Sequence, residues 1–437
     1  MLSAFSNMFR IPELRKKVLF TFLCLVVYRL GSYIPVPGVD MAAIREMMKG
    51  GGGAFGDLFG FIGMVTGGRF GDLTLFSLGV MPYISASIIF QLLIGVIPAL
   101  ERLAKEGEAG RKKLHQYERY ATVPICLLQG YMQIRMTQSI FPGAVPVGVG
   151  FELMAVLLMT TGALLLMWVG EQINEFGIGN GISIIIMAGI VARLPVGVQY
   201  LGAHFSEFGP LVLGVLALSF VFVVLGVVVI TQGQRRIPVQ QAKHTRGRRV
   251  YGGMRHYLPF RVNQAGVIPI IFASSLLIFP ATLLQFMAKA WPWVAPVEDA
   301  FRHGGFLYTF AYMALIIFFC FFWTAITFKP DDLAENLKEY GSFVPGMRPG
   351  KRTADYLERI MLRITFVGAA FLAVIAVVPQ LVAATAKVPW MVASFFGGTG
   401  LLIVVGVALD LVEKIESHLL MRHYEGFISK GRVRGRR

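Results

Sequence analysis

Apolar residues run along this chain in long blocks separated by short polar stretches. Ten windows stand out, at 18–34, 73–99, 120–140, 151–170, 182–200, 210–230, 265–288, 306–328, 364–386 and 390–409. About 20 apolar residues in helical form cross the hydrocarbon layer of a bilayer. The windows 73–99, 210–230, 306–328, 364–386 and 390–409 contain no Asp, Glu, Lys or Arg, so they predict spans most strongly. The third window carries Gln129 and Arg135 and the fifth carries Arg193, and both still have spanning length. One apolar stretch, 54–66, is too short to span and sits between four glycines at 50–53 and two at 67–68. It predicts a re-entrant segment free to move on its glycines, or else a short helix lying on the outer leaflet.

Composition points the same way. Of 437 residues, 55% are hydrophobic and 15% charged, with a mean hydropathy of +0.65. Soluble domains carry about 25% charged residues, so a soluble multidomain enzyme is excluded. The expectation is an all-α polytopic membrane protein. The apolar run after Lys17 has no small-residue cleavage site before Pro35, so it reads as a retained first span. Cys24, Cys126 and Cys320 sit singly in apolar runs without CxxC spacing, which argues against disulfides and thiolate metal sites.

The net charge of +16 is distributed unevenly. With ten spans, 32 of the 41 Lys and Arg fall on the side that holds both termini and only 6 on the other. The positive-inside bias then puts both termini in the cytoplasm. Two cytoplasmic loops are longer than turns require. Residues 231–263 hold Arg235, Arg236, Lys243, Arg246, Arg248, Arg249, Arg255 and Arg261 and no acid. Residues 329–363 carry a Pro-Gly double turn around Arg348. Their shared side suggests one docking surface.

Catalytic patterns are missing from the chain. It has no HExxH, no GxSxG and no acidic metal cluster. Gly350-Lys351 imitates the end of a phosphate loop, but Pro345 stands where the first glycine belongs and Arg352 where Ser or Thr is needed. No enzyme activity and no cofactor are expected. A small-solute transporter of inverted-repeat architecture is the competing reading. It is weakened because Glu152, Glu171 and Asp410 fall at span ends, whereas ion coupling needs ionisable groups at depth.

Five spans precede the short outer loop near 200–209 and five follow it. An odd-numbered half inserts in the opposite sense to its partner half, so residues 1–200 and 210–437 are expected to form an inverted repeat. In such proteins, Gly/Pro-interrupted spans at matching positions mark the working site. The second span has Gly79 and Pro82 followed by Ser85, Ser87 and Gln91. The seventh has Gly266 and Pro269 followed by Ser274, Ser275 and Pro280. Kinked helices with packing serines are the plainer reading of both.

Several stretches resemble the SecY family of protein-translocation channel subunits. They are GSYIPVPG at 31–38, LGVMPYISASII at 78–89, GIGNGIS at 177–183, GRRVY at 247–251, AGVIP at 265–269 and FVPGMRPG at 343–350. The resemblance runs in order across nearly the whole chain. It implies ten spans in two inverted halves around an hourglass pore in the bacterial plasma membrane. The segment 54–66, with Phe55, Leu58, Phe59, Phe61, Ile62 and Met64, would be a plug. Val80, Ile84, Ile186, Ile271 and Ile403 would form the constriction ring, with Val80 standing where isoleucine is common. Such an apolar ring resists ions by dewetting yet can part around a polypeptide. A lateral gate would lie between the second and seventh spans, at Ser85, Ser87, Gln91, Ser274, Ser275 and Phe279. Arg235, Arg236, Arg246, Arg248, Arg249 and Arg348 would dock a translating ribosome, through its ribosomal RNA, or the motor ATPase SecA. Anionic lipid is the competing ligand for this charge. The remaining implied partners are SecE, SecG and an unfolded preprotein bearing a signal sequence.

Overall fold

The computed structural model describes residues 11–44, 73–141, 143–192, 194–203, 205–241, 244–246, 249–251, 255–301, 305–386 and 399–430. Each of the ten apolar windows carries a helix. In chain order the helices are α1 Pro12–Gly31, α2 Met81–Val96, α3 Pro98–Lys105, α4 Glu108–Ile140, α5 Val149–Phe176, α6 Gly181–Val191, α7 Leu194–Ala203 and α8 Phe205–Gln232. After four strands come α9 Ile268–Ala290, α10 Ala295–Ala300, α11 Phe306–Thr327, α12 Pro330–Glu339, α13 Lys351–Ala386 and α14 Thr399–Lys430. Backbone groups in lipid must bond within their own segment, and helices satisfy that locally.

Four stretches, Val149–Phe176, Val212–Gln232, Phe306–Glu339 and Lys351–Val378, have spanning length and apolarity by themselves. A fifth arises if α2 and α3, bent by 100° at Ile97, count as one. The bend has a local cause: Pro98 follows Ile97, which is extended (φ −99°, ψ 111°) as a residue before proline prefers. The other windows carry helices that are short, such as α6, or polar at one end, such as α1 and α4.

Contacts divide the chain into two compact units. One takes the chain through Phe205 together with Ile403 onward, and the other is Ser206–Leu402. In the first unit α4 packs against both α2 and α5. Its core gathers Leu78, Cys126, Ile134, Val156, Met159 and Ala163 with Val36 and Val145 from the loops after α1 and α4. A smaller cluster joins Leu14 of α1, Ile178 and Ile415 of α14, so the last helix packs with this unit.

In the second unit α11 packs against α9 and α13. Phe272 of α9 meets Phe319 and Trp323 of α11 edge-on, with centroids 5.7 and 6.0 Å apart. The two long loops of this unit fold together, which their sequences did not announce. Strands β1 Gln234–Gln241, β4 Arg255–Arg261 and β5 Ser342–Phe343 form an antiparallel sheet in the order β4-β1-β5. The short strands β2 His244–Arg246 and β3 Arg249–Tyr251 pair as a hairpin between β1 and β4. One face of the sheet buries Ile237, Val239 and Phe260 against Phe328, Val344, Leu357 and Met361. The sheet is thereby seated on α12 and the start of α13.

Candidate functional site: apolar helix starts and a basic sheet

Two helices of the chain begin in the same way. Before α2, Gly79 has φ +58°, Val80 is the N-cap (φ −95°, ψ 3°) and Pro82 occupies the first turn. Before α9, Gly266 has φ +62°, Val267 is the N-cap (φ −93°, ψ −5°) and Pro269 occupies the first turn. A positive φ favours glycine, which has no Cβ to clash, and proline is preset for a helix's first turn. A Cβ on Gly266 would meet no atom within 4 Å, so its backbone angle and not crowding calls for glycine there. The Gly-Val-x-Pro motif is therefore one turn built twice, once in each unit.

The residues matched to the constriction ring lie on helix starts. Val80 caps α2 and Ile84 is one turn on; Ile186 is in the second turn of α6. Ile271 is in the first turn of α9 and Ile403 in the second turn of α14. All five are buried. The turn that starts α6 is tied down by side chains. Asn180 Oδ1 accepts from the amides of Ile182 and Ser183 at 3.1 and 3.3 Å. Asn174 Oδ1 accepts from the Gly181 amide at 2.7 Å, and Thr21 Oγ1 of α1 accepts from the Ile178 amide at 3.2 Å. Asn at the N-cap is legible in sequence. The reach of Thr21 across 157 residues is not.

Hydroxyl and amide groups expected at the gate occupy the two matched helices. On α2, Gln91 Nε2 donates to Ser87 Oγ at 3.4 Å, and Ser85 is half-buried. On α9, Ser274 and Ser275 both donate to the carbonyl of Ile271, at 2.9 and 2.7 Å. These bonds satisfy the hydroxyls within their own helix and draw them back along the preceding turn. Phe279 belongs to the same helix. The plug residues Phe55, Leu58, Phe59, Phe61, Ile62 and Met64 lie outside the described residues.

The basic residues of the long loops sit on the sheet module. Arg235 and Arg236 are exposed on β1, opposite Phe260 and Pro259 of β4. Arg246 and Arg249 face each other in register across the β2–β3 hairpin, and Arg248 lies outside the described residues. Arg348 is exposed between Gly346 (φ +84°) and Gly350 (φ +106°), and its carbonyl accepts from Thr353 Oγ1 at 2.9 Å. It makes no ion pair with any other described residue, so neither Asp355 nor Glu358 neutralises it.

Some charges elsewhere form ion pairs. Arg135 Nη2 lies 3.4 Å from Glu152 Oε2, and Arg119 Nε lies 2.8 Å from Glu171 Oε1. At the polar start of α4, His115 Nδ1 is 3.0 Å from Glu118 Oε2, and that hydrogen bond raises the imidazole pKa above its ordinary value. Among the described residues no group of three or more His, Cys, Asp or Glu is placed to hold a metal ion.

The SecY family model matches residues 74–412. The protein translocase subunit SecY of Thermotoga maritima is 44% identical over 446 residues, covering 100% of both chains. Two solved structures share the fold. One, described as the structure of a protein conducting channel, aligns at TM-score 0.64 and 19% identity over 93% of each chain. The other, Sec61 in a canine ribosome–channel complex, aligns at 0.60 and 18% over 93% of each. With full-length identity at that level and the family's motifs found on the helix starts and the basic sheet, the chain belongs to the SecY family.

Proposed function

We propose that this chain is the protein-conducting channel of a Sec translocase, passing unfolded preproteins across the bacterial plasma membrane. The observation that carries the reading is the pair of Gly-Val-x-Pro turns, each opening a helix whose first turn buries an aliphatic ring residue, Ile84 or Ile271. The twin turns support an inverted repeat of the halves 1–200 and 210–437. In the closed channel, Val80, Ile84, Ile186, Ile271 and Ile403 form an apolar constriction that excludes ordered water and ions. Because it offers no polar partner, the same ring accepts any side chain of a passing polypeptide.

The segment 54–66 acts as the plug on the outer side. The lateral gate runs between α2 and α9, where a signal sequence or an apolar segment of about 20 residues leaves for lipid. Ser274 and Ser275 each have a hydrogen bond within their own helix that survives when the seam parts. On the cytoplasmic side, Arg235, Arg236, Arg246, Arg248, Arg249 and Arg348 dock a ribosome or the SecA ATPase, whose energy drives transport. The related canine Sec61 was solved in a ribosome–channel complex, and the exposed guanidinium groups of Arg235, Arg236 and Arg348 suit the phosphates of ribosomal RNA. SecE braces the halves and SecG is peripheral. Both termini lie in the cytoplasm, in keeping with the distribution of Lys and Arg.

The test is site-specific photocrosslinking from each of the five ring positions to a secretory polypeptide stalled in transit. Adducts from all five are expected. Substrate-protectable binding of a small solute without polypeptide adducts would refute the channel.

A further inference from the structure

Residues 73–80, which lead into α2, form no helix, yet all but one of these eight residues are buried. The described part of the loop before them joins in a short bridge: the Val36 amide donates to the Leu73 carbonyl and the Leu75 amide to the Ile34 carbonyl, both at 2.9 Å. Three helices of the same unit close around the segment. From α1, Tyr28 stacks on Phe76, and a Cβ on Gly31 would lie 2.0 Å from the Phe76 ring. From α5, a Cβ on Gly162 would lie 2.0 Å from the Leu75 carbonyl oxygen. From α4, Gln133 Nε2 donates to Ser77 Oγ at 2.9 Å. Gln133 is 2% exposed and Ser77 0%.

That last contact differs in kind from the others. Apolar packing against a glycine tolerates sliding, whereas a buried hydrogen bond fixes both distance and direction. It also joins side chains 56 residues apart in an apolar interior, where a polar group has no water to fall back on. Ser77 is three residues before Val80. The backbone between them is pinned by the Gly79 amide donating to the Phe76 carbonyl, and the Val80 carbonyl accepts the first bond of α2, from Ile84. A displacement of Ser77 therefore passes to Val80 and the start of α2 without slack. The twin turn before α9 is held differently, by Asn263 Nδ2 donating to the Gly266 carbonyl at 2.9 Å, a bond spanning only three residues.

We propose that Gln133 is a positioning residue of the channel's seal: through Ser77 it holds the turn that places Val80 and Ile84 in the constriction. The proposal rests on the channel reading above. Removing one partner strands the other in an apolar interior, whereas removing both takes this pair away together and costs less stability. Position and stability can therefore be separated.

The assembled complex is purified from membranes carrying Gln133→Leu, the double variant Ser77→Ala with Gln133→Leu, Gly162→Ala, or the ring variant Ile403→Asn. Each is assayed for ion conductance in planar bilayers, for export of a reporter with a defective signal sequence, and for thermal unfolding. Gln133→Leu is expected to raise conductance several-fold and to export the reporter. The double variant should recover part of the unfolding temperature lost in Gln133→Leu and still leak. Gly162→Ala, which pushes the Leu75 carbonyl and removes no polar group, should leak as well; it carries the test alone if the Gln133 variants fail to accumulate. A double variant or Gly162→Ala sealed like the parent, beside a leaking Ile403→Asn, overturns the role of Gln133 and leaves the channel standing. If Ile403→Asn is sealed too, both readings fall.

Discussion

Truncating Phe260 tests whether the two long loops form one folded module on which docking depends. Its side chain is 3% exposed, and its ring meets Phe328 edge-on with centroids 5.2 Å apart. Ile237 and Val239 of β1 and Val344, Leu357 and Met361 from the second loop share its cluster. Phe→Ala at such a site costs about 3–5 kcal/mol, of which the aromatic pair accounts for about 0.5–1.5. A fold change of ten corresponds to about 1.4 kcal/mol. If the sheet opens as a local unit, the amides of β1 should exchange about a hundred-fold faster at the lower bound. Hydrogen–deuterium exchange of the full chain in lipid nanodiscs, read by mass spectrometry, measures this directly. Tyr257→Ala is the control, because Tyr257 is 62% exposed and its loss should change stability by no more than about 0.5 kcal/mol. Parent-like exchange of β1 in Phe260→Ala would refute the account of what holds the sheet. Because Arg235 and Arg236 stand on β1, ribosome binding should weaken in the same variant. Undiminished binding with a melted β1 would remove these arginines from docking.

Three further outcomes are expected. Arg348→Glu should shift stability by no more than about 0.5 kcal/mol, since the exposed guanidinium has no described ion-pair partner to lose, while sharply lowering stimulation of the motor ATPase in a reconstituted assay; normal stimulation refutes the role. With Cys24, Cys126 and Cys320 replaced, the proposed gate predicts that Ser85→Cys with Phe279→Cys forms a disulfide when idle, blocking secretion that a long flexible crosslinker spares. Free secretion through the disulfide-locked form would show that α2 and α9 need not separate. His115 titrates above its ordinary pKa because Glu118 accepts its hydrogen bond. Its pairing therefore contributes fully below the unfolded-state pKa and is lost as pH rises through the raised folded one. NMR titration of Glu118→Gln should bring the imidazole pKa down, and an unchanged midpoint refutes the coupling.

The positions of the helices were legible in the order of residues because lipid leaves the backbone no alternative: an apolar run in hydrocarbon must bond to itself. Gly79 with Pro82 and Gly266 with Pro269 were legible as breaks in their apolar windows, since positive φ and a preset first turn are properties of glycine and proline themselves, but the structure puts them at helix starts and not as kinks within a helix. Asn180 belongs to this class as well, because an N-cap bonds to amides two and three residues away. The family's ring positions could be singled out only through its motifs, since one buried isoleucine in a span looks like any other.

Tertiary structure decided the rest. The sheet could not be read from 231–263, because the residues it buries there, Ile237, Val239 and Phe260, are too few to bury one another. Their cover comes from Val344, Leu357 and Met361, about a hundred residues further on. Nothing local marks Ser77 and Gln133 in their apolar windows; the packing of α4 against the turn before α2 brings them to 2.9 Å. Local sequence specifies what the backbone does with itself. Which side chains meet across an interior depends on how whole helices pack, and no window of sequence contains that.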